Sequence, residues 1–242
     1  MELFILALNN GGTTLLHQLL ATSPWVAALP TEGQFLPSWR GPNPVRLGVK
    51  HIYTEKESVF ADPANYDWPA IKKDWYAKWT QHNPAARVRL EKSPTDLARV
   101  AMLQREFPGA RFIVMARNPY AVVDGVLRGN PAATVRQAAV HVLRCLVLCR
   151  QAAENVPGSF AITYEMLTDA TDATADKIVA WLPELERLDG RRAFFVKGKT
   201  APISNMNRGQ IANLSPAQRE TARAVFAGGA DVLRYWGYDD GL

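Results

Sequence analysis

The sequence contains only two cysteines in 242 residues, Cys145 and Cys149. Two thiols are too few for the disulfide framework that holds small secreted domains together. They stand four residues apart in an apolar helical stretch, a spacing at which two thiolates could share a metal ion, but we expect neither a histidine nor a third cysteine beside them. We therefore expect buried structural thiols, since free cysteine behaves mostly as a small apolar residue.

Long apolar runs are also missing. No segment approaches the roughly 20 consecutive apolar residues that a membrane-spanning helix needs. The opening MELFILALNN has no basic region before its apolar part, and that part is only as long as a strand, so the pattern is not that of a secretory signal. These absences predict a protein of the reducing cytoplasm that has no membrane span.

Acidic residues are fewer than basic ones: the chain has 23 Asp and Glu and 28 Lys and Arg, which gives a net charge of +5. A basic excess suits either a nucleic acid or a multiply charged anionic cofactor. The chain has no Lys/Arg-rich run and no recognition-helix or RNA-binding sheet motif. We therefore favour an anionic cofactor and expect no nucleic-acid partner.

The remaining composition, 48% hydrophobic and 21% charged, is that of an ordinary globular protein, and the length suits a single domain over residues 1–242. Apolar runs predict strands at 2–8, 46–53, 110–117 and 159–167 and within 87–96. Helical patterns lie between them, at 13–24, 67–82, 96–107, 119–128, 133–155 and 172–182, and a last helix begins after Ser215. Strands that alternate with helices indicate an α/β fold in three layers, with a mostly parallel sheet.

A glycine turn joins the first strand to the first helix, in the sequence NNGGTT from Asn9 to Thr14. A helix that begins at such a turn points unpaired backbone N–H groups and the positive end of its dipole at the loop. Glycine lets an anion approach the backbone, and the threonine hydroxyls add donors. The pattern predicts a phosphate or sulfate site, although a tight turn without a ligand would have the same sequence.

This loop differs from that of ordinary nucleotide triphosphatases, G-x-x-x-x-G-K-[ST]. Aligned on Gly12, the chain has Ala7 in place of the first glycine and Thr13 in place of the lysine. That lysine serves the β- and γ-phosphates, so its absence disfavours a kinase or ATPase. The loop therefore favours a cofactor that has no γ-phosphate.

Three segments carry a family resemblance: NGGTTLL with Glu32 behind it, EKSP at Glu91–Pro94, and FIVMARNPYAVVDG at Phe112–Gly125. In this order they resemble the PAPS-dependent sulfotransferases, particularly the bacterial and Golgi-type branch that includes the tyrosylprotein enzymes. The resemblance spans roughly Glu2 to Asp169. It implies a P-loop-like nucleotide-binding fold, PAPS as the sulfate donor, PAP as the product and no metal ion.

The resemblance also implies which residues bind the donor. It implies that Arg117 binds the 3′-phosphate and that Tyr164 lies near the adenine. The alternative for Tyr164 is a structural role at the edge of the core. A surface ion pair is the alternative for Arg117. The resemblance implies that the 5′-phosphosulfate is bound by the glycine loop, namely by Gly11, Gly12, Thr13, Thr14 and Leu15.

Sulfuryl transfer to a hydroxyl or amine needs a base for the acceptor proton and donors for the charge on the leaving phosphate. The resemblance implies Glu32 as the base and Lys92 as the cation at the transferring group. Glu32 could instead be a solvated loop carboxylate, and Lys92 could instead pair with Glu91 or with solvent. His17 and His51 are alternative bases, and mid-helix His17 has the placement of a packed residue.

Two positions depart from the family pattern. Asn10 replaces a Lys or Arg at the bridging oxygen and can donate only a neutral hydrogen bond. Gly125 replaces a serine that makes a second contact to the 3′-phosphate. We expect Arg128, Lys197 or Arg208 to compensate, and these changes raise the alternative of a non-catalytic nucleotide-binding protein.

The acceptor side is less determined. The basic segment 190–213 occupies the place where family members close a loop over the nucleotide, although a solvated loop would look the same. Trp68, Trp75 and Trp79 have the spacing of a helix packing face and are predicted to belong to the core. The acceptor itself, whether small molecule, glycan or peptide, is not readable from the sequence.

Overall fold

The computed structural model describes residues 1–196 and 198–238. Five strands form the main sheet: β1 (Glu2–Ala7), β2 (Val26–Ala28), β3 (Val88–Glu91), β4 (Arg111–Ala116) and β5 (Phe160–Thr163). A separate antiparallel hairpin consists of β6 (Phe194–Val196) and β7 (Lys199–Ala201).

Helices follow most strands. They are α1 (Thr13–Leu20), α2 (Glu57–Ala61), α3 (Trp68–His82), α4 (Val100–Glu106), α5 (Pro119–Gly129), α6 (Val135–Asn155), α7 (Tyr164–Asp169), α8 (Thr171–Trp181), α9 (Asn207–Ala212), α10 (Pro216–Phe226) and α11 (Ala230–Tyr235). Short 3₁₀ turns lie at Gly33–Phe35, Tyr53–Lys56, Pro63–Asn65, Pro94–Ala98, Pro183–Leu185 and Ala227–Gly229.

The main sheet is parallel throughout and has the order β2-β3-β1-β4-β5. The chain therefore builds one half of the sheet from β1 toward β2 and β3, and the other half from β4 and β5. Strand order reverses at β1, which pairs with β3 on one side and β4 on the other. In open parallel sheets, ligands bind beyond the carboxyl ends of the strands at such a reversal point.

Each face of the sheet is covered by a core of its own. Phe4, Leu6 and Leu8 point to the face that carries α3, α5 and α6, whereas Leu3 and Ile5 point to the face that carries α1 and α8. Successive residues of a strand point to opposite faces. Full burial of both sets explains the continuous apolar run of β1 and confirms the predicted three-layer α/β architecture.

Several local predictions are confirmed. Trp68, Trp75 and Trp79 are buried, and the Trp79 indole donates a hydrogen bond to the Leu90 carbonyl at 3.0 Å. Ser215 caps α10, since its hydroxyl accepts a hydrogen bond from the Gln218 N–H.

Both cysteines, Cys145 and Cys149, are buried free thiols on α6, as predicted. The Cys145 sulfur lies 3.7 Å from the ring of His141, one turn earlier on the same helix, so the expectation that no histidine stands beside the cysteines is wrong. His141 is itself buried, and burial lowers its pKa to about 3.

The strand expected at 46–53 is wrong. This segment forms turns, because Gly48 (φ 72°) and His51 (φ 62°) adopt left-handed backbone conformations that an extended strand does not contain. The helix expected over 96–107 is split into the turn Pro94–Ala98 and α4. The segment 190–213 is more ordered than predicted, since it holds the β6–β7 hairpin and α9.

Among the helices of the described ranges, none combines the length and the apolar character needed to cross a membrane.

Candidate active site

The predicted site residues meet at one edge of the sheet, beyond the carboxyl ends of four neighbouring parallel strands. Lys92 follows β3, the glycine loop follows β1, Arg117 follows β4, and Tyr164 follows β5. The sheet order therefore sets the order of these groups in space. The Lys92 end lies beside Glu32, and the Arg117 end lies against α9.

The glycine loop makes a tight turn into α1. Asn10 (φ 60°) and Gly12 (φ 94°) both have left-handed conformations, and the Gly11 N–H donates to the Leu8 carbonyl at 3.0 Å. A Cβ atom on Gly12 would lie 2.5 Å from the ring of Tyr164. Glycine is required at this position by both its φ angle and its neighbour.

The start of α1 has the features of an anion site. Gly12 occupies its N-cap without a side-chain cap, so the N–H groups of the first turn have no helical partner. Thr13 is buried beside the loop and Thr14 is exposed. The first turn contains no acidic side chain. The positive end of the helix dipole is thus left for an external anion.

Arg117 connects the loop to the C-terminal part of the chain. Its guanidinium is buried, donates to the Asn10 carbonyl at 2.8 Å and to the Asn207 side-chain oxygen at 2.9 Å, and also donates to the Gln210 side chain. It stacks over the ring of Tyr164 at 3.9 Å. Burial lowers the pKa of Arg117. The structure brings the predicted nucleotide residues together and encloses the arginine with α9.

Glu165 anchors this enclosure, and the sequence analysis missed it. One carboxylate oxygen accepts from the Asn207 side chain at 2.5 Å and from the Asn118 N–H at 3.0 Å, and the other accepts from the Tyr238 hydroxyl at 2.8 Å. Burial and the Glu165 charge raise the pKa of Tyr238. The expected cover segment 190–213 therefore does reach the site, through α9. Only its position directly after Tyr164 could have singled out Glu165.

The two departures from the family pattern, Asn10 and Gly125, touch each other. A Cβ atom on Gly125 would lie 2.6 Å from Cβ of Asn10 and 2.7 Å from its Cγ. The Asn10 amide nitrogen lies 3.1 Å from Nδ1 of His51, whose ring packs against Gly129. Gly125 thus provides the space that the Asn10 side chain occupies, and a serine in its place would collide with that side chain.

Of the cations expected to compensate, Arg128 lies close enough to Arg117 for its charge to contribute to the lowered pKa of that guanidinium. Arg128 is itself held by Asp124, at 2.7 Å. Arg208 lies exposed on α9. Lys197 lies outside the described residues.

At the other end of the site, Lys92 and Glu32 form an ion pair of 2.9 Å. Their side chains are 11% and 20% exposed, so the pair is sheltered but remains accessible. The Gln34 side chain donates to the second Glu32 oxygen at 2.7 Å. The structure therefore supplies a carboxylate and an ammonium group in contact, with the partner of Lys92 being Glu32 rather than Glu91.

A buried network under this pair fixes its position. One oxygen of Glu91 accepts hydrogen bonds from the Gly33 N–H at 2.8 Å and from the Ser93 hydroxyl at 2.6 Å. Asp96 and Arg99 form a fully buried ion pair beside it. These contacts tie the turn that carries Glu32 to the end of β3 that carries Lys92.

Charge balance in the network favours a protonated Glu91. Two buried carboxyl groups, Glu91 and Asp96, lie near one buried cation, Arg99. Burial and the Asp96 charge raise the pKa of Glu91 well above its usual value. Through its hydrogen-bonded oxygen, this carboxyl joins the turn at Gly33 to Ser93 at the base of the site.

The alternative bases take different places. His17 on α1 has its pKa lowered to about 4 by burial, with smaller contributions from the charges of Lys92 and His82. It is therefore neutral at pH 7 and lies near the Lys92 end of the site. His51 lies at the glycine loop, where it contacts Asn10.

Over the described ranges, no group of three or more His, Cys, Asp or Glu side chains is arranged to hold a metal ion.

Comparisons with known proteins agree with the observed fold. In a search of solved structures, the sulfotransferase from Alicyclobacillus acidocaldarius is 17% identical, with a TM-score of 0.57 over 98% of this chain and 96% of that one. The sulfotransferase domain from the curacin biosynthetic pathway is 18% identical, with a TM-score of 0.51 over 93% of this chain and 96% of that one. STF9 from Mycobacterium avium is 13% identical, with a TM-score of 0.55 over 95% and 76%. These likenesses establish the fold.

No curated protein matches the sequence. The family model described as the sulfotransferase family does match it, over residues 2–187, which include the glycine loop, Glu32, Lys92, Arg117 and Tyr164. The chain belongs to the sulfotransferase family.

Proposed function

We propose that this chain transfers the sulfuryl group of PAPS to an acceptor hydroxyl or amine, without a metal ion, and releases PAP. The observation that carries the proposal is the Glu32–Lys92 pair beside the glycine loop. A carboxylate and an ammonium group thus lie in contact near the carboxyl ends of neighbouring strands, which supports their roles as base and cation.

The residues of the nucleotide end fit the donor's two anionic groups. The start of α1 at the glycine loop suits the 5′-phosphosulfate, because the N–H groups of its first turn have no helical partner and the helix dipole favours an anion. The Arg117 fork suits the 3′-phosphate, since a guanidinium binds phosphate oxygens through paired donors. When bound, PAPS supplies the sulfuryl group and carries away the negative charge as PAP.

The catalytic roles follow from the chemistry of transfer. Glu32 accepts a proton from the acceptor hydroxyl or amine while the acceptor's oxygen or nitrogen forms a bond to sulfur. The bond from sulfur to the leaving phosphate breaks in the same transfer, and negative charge develops on that phosphate. Lys92 stabilises this charge together with the donors of Thr13 and Thr14. Asn10 adds only a neutral donor, about half as strong as a charged one.

Replacing Glu32 with glutamine tests the assignment of the base. Glutamine keeps the size and the contact to Gln34 but cannot take a proton, so we expect turnover of PAPS to be lost while PAP affinity is retained. Glu220→Gln on α10, which alters an exposed ion pair with Arg223, is the matched control and should keep wild-type turnover. Comparable turnover by Glu32→Gln would remove Glu32 from the mechanism.

A second candidate is a nucleotide-binding protein that lacks catalysis. It is favoured by Asn10 and Gly125, and by the fact that Nε, Nη1 and Nη2 of Arg117 each donate to the protein's own groups. A panel of phenols, sugars and amines assayed for PAP release distinguishes the two. PAP binding without release from PAPS would support the non-catalytic protein.

A further inference from the structure

A cavity of about 370 Å³ borders Gln34, the residue whose side chain donates to Glu32. It is built by the loop that follows the turn at Gly33–Phe35, and its wall includes Gln34, Phe35, Trp39, Arg40, Asn43 and Arg46. A cavity of this volume is large enough for a small molecule.

Gln34 joins this cavity to the catalytic pair. It is 2% exposed, its amide nitrogen donates to Glu32 at 2.7 Å, and its oxygen accepts from the Thr95 hydroxyl at 2.7 Å. Because both ends of the amide are bonded, the side chain holds a fixed position between the cavity and the base. One residue thus separates the cavity from the base, so an occupant that extends past Gln34 would reach Glu32.

The charge of the cavity loop has a single sign. Residues 33–54 contain Arg40, Arg46 and Lys50 and no Asp or Glu. Arg40 and Arg46 line the cavity and are exposed. Within 1–196 and 198–238, neither guanidinium forms a salt bridge. Two arginines without a carboxylate partner in one cavity are suited to binding an oxyanion.

The same cavity has apolar parts. Phe35 and Val45 line it and are 43% and 54% exposed, which is high for large apolar side chains. Trp39 forms a buried aromatic wall, and its indole nitrogen donates to the Pro42 carbonyl. An occupant would thus meet apolar surface as well as cationic groups.

From these observations we infer that the acceptor carries an oxyanion, such as a carboxylate, in addition to the hydroxyl that is modified, on an apolar body. Arg40 and Arg46 bind the oxyanion, and Phe35 contacts the apolar part, so that the hydroxyl reaches Glu32. This inference rests on the proposed sulfuryl transfer and adds the substrate class to it.

Matched acid and amide probes test the inference. We would use 3-(4-hydroxyphenyl)propionate against its amide, and 6-hydroxyhexanoate against its amide, because each pair differs chiefly in charge. Affinity is measured by calorimetry with and without PAP, and PAP release from PAPS gives kcat/KM. We expect the acid to be preferred at least about tenfold in at least one pair, since hydrogen bonds to charged groups are the strong ones.

The arginines are tested by the double variant Arg40→Gln, Arg46→Gln. The preference for the acid should fall to near equality, mainly through the dissociation constant and KM. Arg136→Gln, which changes an exposed arginine on α6, is the control and should keep the preference. The variant Arg40→Lys, Arg46→Lys keeps the charge without the planar fork, and we expect an intermediate preference.

The outcomes separate this inference from the proposed function. Equal binding of acid and amide, binding of neither, or a preference that survives the glutamine double variant would overturn the inference. Absence of PAP binding and of PAP release with every probe would instead contradict the proposed function. The acid preference and its dependence on the two arginines could still be measured by calorimetry in that case.

Discussion

Replacing Gly125 with serine restores the residue that the family has at this position, yet we expect it to destabilise the protein. The new Cβ would lie 2.6 Å from Cβ of Asn10, which is closer than real Cβ contacts come. Forcing extra atoms into a packed site costs about 1–3 kcal/mol. Serine is a better helix former than glycine by a few tenths of a kcal/mol, which offsets part of that cost.

The contact with Asn10 can be isolated with a double-mutant cycle. Asn10→Gly removes the colliding side chain and tolerates the φ angle of 60°. We expect Gly125→Ser to cost about 1–2 kcal/mol less in the Asn10→Gly background, because residues in contact couple by this amount. Urea unfolding of the four proteins gives the coupling energy.

A second glycine supplies the control for this cycle. Gly209 is also helical, on α9, but a Cβ atom there would meet nothing within 4 Å. Gly209→Ser should therefore be neutral or slightly stabilising. If Gly125→Ser is as stable as wild type and its effect does not depend on Asn10, the reasoning about the shared space is refuted.

Two further predictions concern pH. The pKa of His17 falls from 6.5 to about 4 on folding, so its contribution to stability, about 3 kcal/mol, is lost as pH drops through this range. Urea unfolding at pH 7 and pH 4 should therefore show a loss of unfolding free energy that is smaller by this amount in His17→Gln than in wild type. Equal losses in the two proteins would contradict the assignment. The pKa of Glu91 is raised by burial, so the contribution of this carboxyl to wild-type stability is lost as pH rises above about 4.5, and Glu91→Gln has no such contribution to lose. The free energy of unfolding of Glu91→Gln, measured relative to that of wild type, should therefore increase from pH 5 to pH 9. If the difference between the two proteins stays constant over this range, Glu91 is ionised throughout.

The part of the fold nearest β1 could be predicted because its signals are local. An apolar run, a glycine turn and a helix with leucines on one face are read from 20 adjacent residues, and all three are observed. The 46–53 segment shows the limit of this approach. Its apolar residues suggest a strand, but the left-handed angles of Gly48 and His51 depend on contacts elsewhere, such as the packing of the His51 ring against Gly129.

The site was predictable where a motif marks it and not where distant residues complete it. Glu32 and Lys92 could be named from their motifs, but their ion pair joins positions 60 residues apart. Glu165 and Asn207, which enclose Arg117, belong to no motif. Asn10 and Gly125 were recognised separately as departures from the family. Their contact became evident only from the structure.

The Arg117 contacts bear on how the donor would bind. Asn207 and Gln210 of α9 accept hydrogen bonds from the guanidinium, at the group assigned to the 3′-phosphate. The hydrogen bonds to Asn10, Asn207 and Gln210 use three of the five guanidinium N–H groups, so phosphate oxygens would take the other two or replace one of these amide oxygens. Charged acceptors form stronger hydrogen bonds with arginine than neutral ones do, so this exchange is favourable.

Nucleotide binding tests the central claim most directly. Thermal unfolding is measured with PAP, with AMP, which lacks only the 3′-phosphate, with ADP, and with ATP plus Mg²⁺, each at the same concentration. A ligand at about a hundred times its dissociation constant adds about 2.7 kcal/mol, which corresponds to a shift of roughly 5–10 °C for a domain of this size. The account predicts this shift with PAP and a much smaller one with AMP or ADP. A shift with ATP and Mg²⁺ alone, or with none of the four, would contradict it.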